Sequence, residues 1–152
     1  MSKIIGLNAF HADAAACIVI DGELKSAAEE ERFLRIKHWA GFPTESIKFC
    51  LSENGLSLRD IDYIAVNSDP SKNLTKKLGY GLKNLPDFSF LLDRVKASAL
   101  KNDIGKHIAK NLGSGFRGKI KHIEHHQCHL ASGHIASPFQ DSVSVSVSVS
   151  CL

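Results

Sequence analysis

The sequence predicts a single α/β domain built around a mixed β-sheet. Apolar runs near the amino terminus are separated by an Asp-Gly pair, which is the strongest short signal for an antiparallel hairpin. Farther along, strand-like runs alternate with segments of helical periodicity, which is typical of a sheet that also contains parallel strands. The chain has 152 residues, of which 43% are hydrophobic, so it is long and apolar enough for one core.

Three strands are predicted at the amino terminus. KIIGLNAF (3–10) and AAACIVI (14–20) are apolar runs, and residues 10–13 join them as a tight loop. Asp21-Gly22 then turns the chain into ELKSAAEEE (23–31). We therefore expect the chain to open with a meander of two or three antiparallel strands.

Helices and strands alternate over the remaining residues. Thr44 and Glu45 begin a short amphipathic helix that Asn54-Gly55 closes, after the irregular stretch RFLRIKHWAGFP. The later predicted elements are a strand in IDYIAVNS (61–68), a loop with broken helix over 70–87, one or two helices over 88–113 with a break at 103–105, a strand in KIKHI (119–123), and a helix that starts within HHQCHLASGHIAS and ends before Pro138.

This order of elements, β-β-β-α-β-α-β-α, resembles the ribonuclease-H-like half of the actin-like ATPases. The likeness is an analogy of fold and does not by itself indicate a function. We expect this domain to cover residues 1–142. Residues 143–152 are a low-complexity tail in which Ser and Val alternate as on a strand with one apolar face. Its abrupt end predicts that the natural chain continues and is truncated here.

Composition excludes several classes of function. The net charge is only +3, and the basic residues are interspersed with acidic ones, so we expect no nucleic-acid partner. No run approaches the roughly 18 apolar residues of a membrane span. The four cysteines show no C-x-x-C spacing and indicate reduced thiols. With no signal peptide at the start, we expect a cytoplasmic location.

Histidines are concentrated in HIEHHQCHLASGH (122–134), which holds five of the eight in the chain. His125 and His129 are four apart, and on a helix this spacing places both imidazoles on one face, close enough to share a metal ion. The same spacing is also common among histidines on helix surfaces, so the residues alone leave both interpretations open. His122 and His126 repeat the spacing but are expected to face elsewhere.

Three quoted stretches carry a more specific resemblance. IIGLNAFHADAAACIVIDGEL, AAEEERFLRIKHWAGFPTESIKFCL and IEHHQCHLASG, followed by SPF, resemble the amino-terminal region of the carbamoyltransferase family, which includes nodulation-protein-U and antibiotic O-carbamoyltransferases. The likeness runs from residue 4 to about residue 142, although residues 68–115 carry no motif. The family's H-x-x-x-H motif falls on His125 and His129.

The resemblance implies an activity and its cofactors. Such enzymes use carbamoyl phosphate and ATP, form a carbamoyl-adenylate, and pass the carbamoyl group to the hydroxyl of a small-molecule acceptor. A divalent metal near the nucleotide phosphates, iron or alternatively zinc, is implied at His125 and His129. The implied catalytic residue is His11, as general base for the acceptor hydroxyl, because an imidazole can take up a proton near neutral pH.

Three further residues are candidate cofactor contacts. Lys37 is the candidate for a phosphate contact, since an ammonium group is a common partner of phosphoryl oxygens. Asn8 and Asp13 are expected to cap or orient the loop that carries His11. Either Arg32 or Arg35 is expected to pair with the run Glu29–Glu31, whose members alternate along a predicted strand and so do not converge on one ion.

The resemblance also indicates what this chain lacks. No glycine-rich phosphate loop occurs in its sequence, and family members are much longer, so a carboxy-terminal half is the expected partner. We therefore expect this chain alone to be inactive as an enzyme. The alternatives are a metal-binding or partner-docking module without catalysis, and a fragment with no function.

Overall fold

The computed structural model describes residues 1–68, 103–135, 137–139 and 143, which form one α/β arrangement. Its strands are β1 (Lys3–Asn8), β2 (Ala15–Ile20), β3 (Glu23–Glu29), β4 (Tyr63–Val66) and β5 (Lys119–His122). Its helices are α1 (Glu31–Leu34), α2 (Thr44–Glu53), α3 (Ile104–Leu112) and α4 (His125–Ile135), with a 3₁₀ turn at Leu58–Asp60.

The five strands form one mixed sheet in the order β3-β2-β1-β4-β5. The first three strands are antiparallel neighbours, as the hairpin signal predicted. β4 lies parallel to β1, and β5 lies parallel to β4. Because carboxyl ends of parallel strands meet at one edge, Asn8, Asn67 and His122 all lie at or just beyond the same edge of the sheet.

One face of the sheet carries the core. Alternation along the strands places Ile5, Leu7, Ile18 and Ile64 on this face, and each is at most 3% exposed. Helices α2 and α3 cover the face with Ile47, Cys50, Leu51, Ile104 and Ile108. Burying side chains of this size stabilises the fold by about 1.5–3 kcal/mol each.

The predicted turn and helix ends are confirmed. Asp21 and Gly22 both have positive φ, which is the backbone of the hairpin turn that an Asp-Gly pair favours. Helix α2 begins at Thr44, and Gly55 follows its end in the left-handed conformation. Asp103 caps α3 by accepting a 2.9 Å hydrogen bond from the Lys106 amide, so the predicted break there is the start of a helix.

The predicted strand over residues 23–31 is too long. It ends at Glu29. Helix α1 begins at Glu31 and continues into the stretch that was expected to be irregular. The amides of Phe33 and Leu34 bond to the carbonyl of Glu30, which turns the chain away from the sheet. Consequently the three glutamates do not alternate along one strand, and Glu30 is buried.

Some predictions fall on residues outside the described part. These are the broken helix over 70–87, the helix over 88–102 and nearly all of the tail over 143–152. The order β-β-β-α-β-α-β-α therefore stays a prediction, and the described elements already add the short helix α1 to it. The domain boundary at residue 142 also stays a prediction.

None of the helices in the described ranges combines the length and the apolar character needed to cross a bilayer.

Gly118 provides a test of the β4–β5 pairing. A Cβ at this position would overlap the carbonyl oxygen of Asp62 and lie 2.6 Å from that of Ile61. We expect Gly118→Ala to lower the free energy of unfolding by about 1–3 kcal/mol, because both clashing atoms belong to backbone and cannot move aside. Urea denaturation measures the change.

Gly115→Ala is the matched control from the same turn. The nearest atom to a Cβ there is a side-chain carbon of Arg59 at 3.6 Å, an ordinary contact. We expect this variant to stay within about 0.5 kcal/mol of the unchanged chain. Equal stability of the two variants would contradict the described approach of Gly118 to Asp62.

Candidate functional site

The candidate site lies at the sheet edge where the parallel strands β1, β4 and β5 end. Residues 9–14 form a loop after β1, here called the His11 loop. Helix α4 begins at His125, and two residues separate it from the end of β5. Residues 35–41 form a second loop, here called the Lys37 loop, which connects α1 to the segment before α2. In open α/β sheets this edge is the usual place for ligands.

Asn8 organises the His11 loop from inside. Its Nδ2 donates hydrogen bonds to the carbonyl oxygens of Ala12 at 3.2 Å and Asp13 at 2.9 Å, and its Oδ1 accepts one from Asn67 Nδ2 at 2.8 Å. Both amide hydrogens are thus used within the loop. This arrangement matches the expectation that Asn8 orients the loop, while a direct contact with a cofactor stays a prediction.

His11, His125 and His129 lie together although they are far apart in the sequence. The imidazole rings of His11 and His125 are stacked, with centroids 5.6 Å apart and an interplanar angle of 17°. The Nε2 atoms of His125 and His129 are 3.0 Å apart. The predicted catalytic residue and the two predicted metal ligands therefore occupy one site.

The two Nε2 atoms fit the separation that a shared metal ion requires. Ligand nitrogens at about 2.0–2.1 Å from a metal, at angles between square and tetrahedral, lie about 2.9–3.4 Å apart. The same 3.0 Å separation also suits a hydrogen bond in which one ring donates its N–H to the other. Within the described ranges, no group of three or more His, Cys, Asp or Glu side chains is placed to hold a metal, and the metal role of His125 and His129 stays a prediction.

The other histidine pair of the cluster does not converge. His122 lies on β5, and its Nδ1 donates to the carbonyl oxygen of Ser68 at 2.8 Å. His126 is bonded instead to Glu124, with Nδ1 and Oε1 2.7 Å apart. This bond is the main reason that the pKa of Glu124 lies below its usual value. Glu124 also accepts from the amide of Gln127 at 3.1 Å and so caps the start of α4.

The His11 loop and the Lys37 loop are held together by backbone hydrogen bonds. The amide of Phe10 donates to the carbonyl of Gly41 at 3.0 Å, and the amide of Ala14 donates to the carbonyl of Trp39 at 2.9 Å. Lys37 is exposed in this paired structure, and it forms no ion pair with any residue that the structure describes. Its ammonium group is thus available on the loop that adjoins His11.

Asp13 and His38 add a side-chain link between the loops. His38 Nδ1 and Asp13 Oδ1 are 2.9 Å apart, and the hydrogen bond and charge of Asp13 raise the pKa of His38 above its usual value. No motif or spacing in the sequence singles out His38. Its neighbour Asp13 was expected to orient the His11 loop, and the structure shows the carboxylate engaged with the Lys37 loop.

Strained backbone is concentrated in these two loops. Phe10, Asp13, Arg35 and His38 have φ between 55° and 62°, a region that residues other than glycine rarely occupy. In the described part of the chain, the only other such residue besides glycine is Asp21 in the hairpin turn. Strain of this kind persists where surrounding contacts fix the backbone, and it is concentrated at functional sites.

Comparison with known proteins identifies the family. The model of the carbamoyltransferase N-terminus matches residues 3–151. The chain belongs to this family. Among its relatives, an uncharacterized protein from Synechocystis is 35% identical over 93% of this chain, and nodulation protein NolNO from Sinorhizobium fredii is 31% identical over 92%. This chain spans 24% and 20% of the length of these two relatives.

Solved structures similar to this chain include YeaZ from Pseudomonas aeruginosa. It is 18% identical, with a TM-score of 0.32 over 46% of this chain and 31% of the other. An uncharacterized protein with similarity to peptidase YeaZ from Pseudomonas aeruginosa is 12% identical, with a TM-score of 0.39 over 82% of this chain and 44% of the other. Likeness at this level carries no argument about function.

The Asp13–His38 link predicts a measurable titration. A raised pKa means that the protonated imidazole is favoured in the folded chain, so this stabilisation is fully present below about pH 6.5 and is lost as pH rises through the higher folded value. We expect Asp13→Asn to lower the pKa of His38 towards 6.5, as measured by NMR of the ring protons.

Glu31→Gln is the matched control, because the charge of Glu31 is the smallest cause of the raised value. It should change the His38 titration much less than Asp13→Asn does. If His38 titrates identically in the unchanged chain and in Asp13→Asn, the link between the two loops is wrong.

Proposed function

We propose that this chain is the amino-terminal part of an O-carbamoyltransferase. In the proposed reaction, carbamoyl phosphate, water and ATP yield a carbamoyl-adenylate with release of phosphate and pyrophosphate, and the carbamoyl group then passes to the hydroxyl of a small-molecule acceptor with release of AMP. The observation that carries the proposal is the meeting of His11 with His125 and His129 at the carboxyl edge of the sheet. Membership of the carbamoyltransferase family supports the reaction class.

We further propose that the fold is the ribonuclease-H-like half of an actin-like ATPase domain. The mixed sheet of order β3-β2-β1-β4-β5 supports this, with three antiparallel strands followed by two parallel ones. In such a domain the loop between the first two strands approaches the nucleotide phosphates, where backbone amides contact anions. In this chain that loop is the His11 loop.

His125 and His129 would hold the metal ion, through the Nε2 atoms that converge in the structure. Iron and zinc both accept imidazole ligands, and a bound ion of either kind would neutralise phosphate charge. The chain's own contribution is to present the two rings on the first and second turns of α4. Glu124 fixes the start of that helix by capping it.

His11 is the proposed general base for the acceptor hydroxyl. It is exposed, so an acceptor can reach it, and its ring lies against that of His125. Proton transfer by a positioned side chain typically contributes about 10²–10⁴-fold to a rate. Its Nδ1 or Nε2 would take the hydroxyl proton as the acceptor oxygen attacks the carbamoyl carbon.

Lys37, Asn8 and Asp13 are the proposed cofactor-binding residues. Lys37 would contact a phosphate of ATP or carbamoyl phosphate with its free ammonium group. Asn8 and Asp13 would act mainly by shaping the His11 loop, since their polar atoms are already bonded to Ala12, Asn67 and His38. The phosphate would then be met by backbone amides and by Lys37.

The proposed enzyme needs a partner segment. This chain spans 20–24% of the two relatives, and its histidine pair supplies only two ligands, so the remaining carboxy-terminal part would complete both the metal site and the nucleotide site. A cytoplasmic location and the absence of nucleic-acid partners are part of the same proposal. The two-ligand site also favours a second candidate function, a metal-binding or docking module without catalysis.

Zinc titration of the purified chain tests the metal site. We expect His125→Ala/His129→Ala to weaken zinc binding at least about tenfold, because both converging Nε2 atoms are removed. The matched control is His122→Asn/His126→Asn, which removes two other histidines with the same spacing. Calorimetry measures both affinities. Equal losses in the two double variants would contradict the proposed ligands.

Zinc titration also separates the roles proposed for His11 and the ligand pair. A general base that only adjoins the metal site can be replaced without losing a ligand. We therefore expect His11→Asn to keep the zinc affinity of the unchanged chain within about threefold. With the carboxy-terminal part added, the same variant should lose carbamoyl transfer by about 10²-fold or more. Loss of zinc affinity in His11→Asn would make His11 a ligand instead.

A further inference from the structure

Glu30 is a buried carboxylate with an unusual set of partners. It is 1% exposed and lies just after β3. Its Oε1 accepts a hydrogen bond from the amide of Glu45 at 3.0 Å, and its Oε2 accepts from the amide and from the hydroxyl of Ser46, both at 2.8 Å. All three donors belong to the first turn of helix α2.

Through these bonds the Glu30 side chain caps the amino terminus of α2, although Glu30 is far from that helix in the sequence. The residue before the helix is Pro43, which offers no side-chain cap. The first amides of a helix need acceptors, and a negative charge at this end is favoured by the helix dipole. Three accepted hydrogen bonds compensate the loss of hydration that burial imposes on the Glu30 carboxyl group. No ion pair involves Glu30 in the described ranges.

The backbone of Glu30 reaches the His11 loop. Its amide donates a 2.8 Å hydrogen bond to the carbonyl of Ala14, the last residue of that loop. Its carbonyl accepts from the amides of Phe33 and Leu34 at 3.1 Å each, which forms the turn of α1. A single residue therefore bonds to the end of one loop and to the segment that enters the other.

The Lys37 loop is fixed at both ends by the same residue. It is entered from Leu34, whose amide bonds to Glu30, and the chain beyond it reaches Glu45 and Ser46, whose amides bond to the Glu30 carboxylate. The loop between them contains the strained residues Arg35 and His38. Contacts at both ends of a strained loop are what keep such a backbone in one conformation.

We infer that Glu30 is a positioning residue that holds the His11 loop and the Lys37 loop in the single arrangement needed to bind a phosphate-bearing carbamoyl donor. The inference rests on the proposed function for the nature of the ligand. Glu30 is too deeply buried to touch the ligand itself. It acts through its own amide, which bonds to the carbonyl of Ala14, and through its carboxylate, which bonds to amides of α2. Misplacing binding groups by about 1 Å can cost on the order of 10²-fold in rate, so such a residue matters without contact.

Glu30→Gln tests this role. The glutamine has almost the same size, but its NH₂ group would face the donors of Glu45 or Ser46, and one acceptor would be lost. We expect two results in the folded variant. Carbamoyl phosphate should bind at least about tenfold more weakly by calorimetry, and the pKa of His38, followed by NMR, should fall towards the value of a free histidine as the loops separate.

Glu29→Gln is the matched control. Glu29 is the preceding residue, its side chain is 46% exposed, and in the described part of the chain its ion pair is with Arg32 at 3.5 Å. This variant should leave both measurements unchanged. Ser46→Ala removes one of the three donors and leaves the Glu30 side chain in place. It should shift both measurements in the same direction as Glu30→Gln, but by less. This variant replaces Glu30→Gln as the test if Glu30→Gln does not fold.

The His38 titration separates this inference from the proposed function. If Glu30 only stabilises α2, Glu30→Gln and Ser46→Ala will lower the free energy of unfolding and leave the pKa of His38 unchanged, and the positioning role is overturned. If the unchanged chain binds no carbamoyl phosphate even with the carboxy-terminal part added, but His38 responds as expected, Glu30 positions the loops and the proposed ligand is wrong.

Discussion

Parallel pairing of β1 with β4, and of β4 with β5, brings three carboxyl ends of strands to one edge of the sheet. The meeting of His11 with His125 and His129 depends on this pairing. The His11 loop follows β1, the histidines of α4 follow β5, and Asn67 after β4 links the two regions by its bond to Asn8. A core of fully buried aliphatic side chains on one face of the sheet keeps these strands in register.

The loops at this edge are ordered by polar contacts in addition to the packing of Phe10 against Phe42 and the core. The two loops are held by two backbone hydrogen bonds, by the Asp13–His38 link and by the buried carboxylate of Glu30. Such contacts are individually modest, at about 0.5–1.5 kcal/mol for a neutral hydrogen bond and more when charged. Together they balance backbone strain that costs on the order of 1–3 kcal/mol per residue. The result is a preformed pair of loops beside the two converging imidazoles.

Local patterns in the sequence were sufficient for much of the fold. The Asp21-Gly22 turn, the start of α2 at Thr44 and the helix at HHQCHLASGH follow from short-range rules of backbone and spacing, and the structure agrees. The four-residue spacing of His125 and His129 predicted rings on one face, although it could not show that His11 lies against them. That contact joins the two ends of the described chain and depends on the parallel pairing.

The residues that the sequence did not predict as important form contacts with residues far away in the sequence. Glu30 belongs to a run of three glutamates, and nothing local shows that it alone is buried, because its partners are on α2. His38 looked like one more polar residue in an irregular stretch, since its link to Asp13 exists only once the loops pair. The strand predicted through Glu31 failed for a local reason, because the amides of Phe33 and Leu34 bond to the Glu30 carbonyl and turn the chain into α1.

The central claim is that His11, His125 and His129 form one site, and NMR of the histidine rings during zinc addition tests it most directly. We expect a cross-peak between the ring protons of His11 and His125 in the metal-free chain. We also expect the ring signals of all three histidines to shift together as zinc is added. Absence of the cross-peak, with His11 unchanged while His125 and His129 respond, would contradict a shared site.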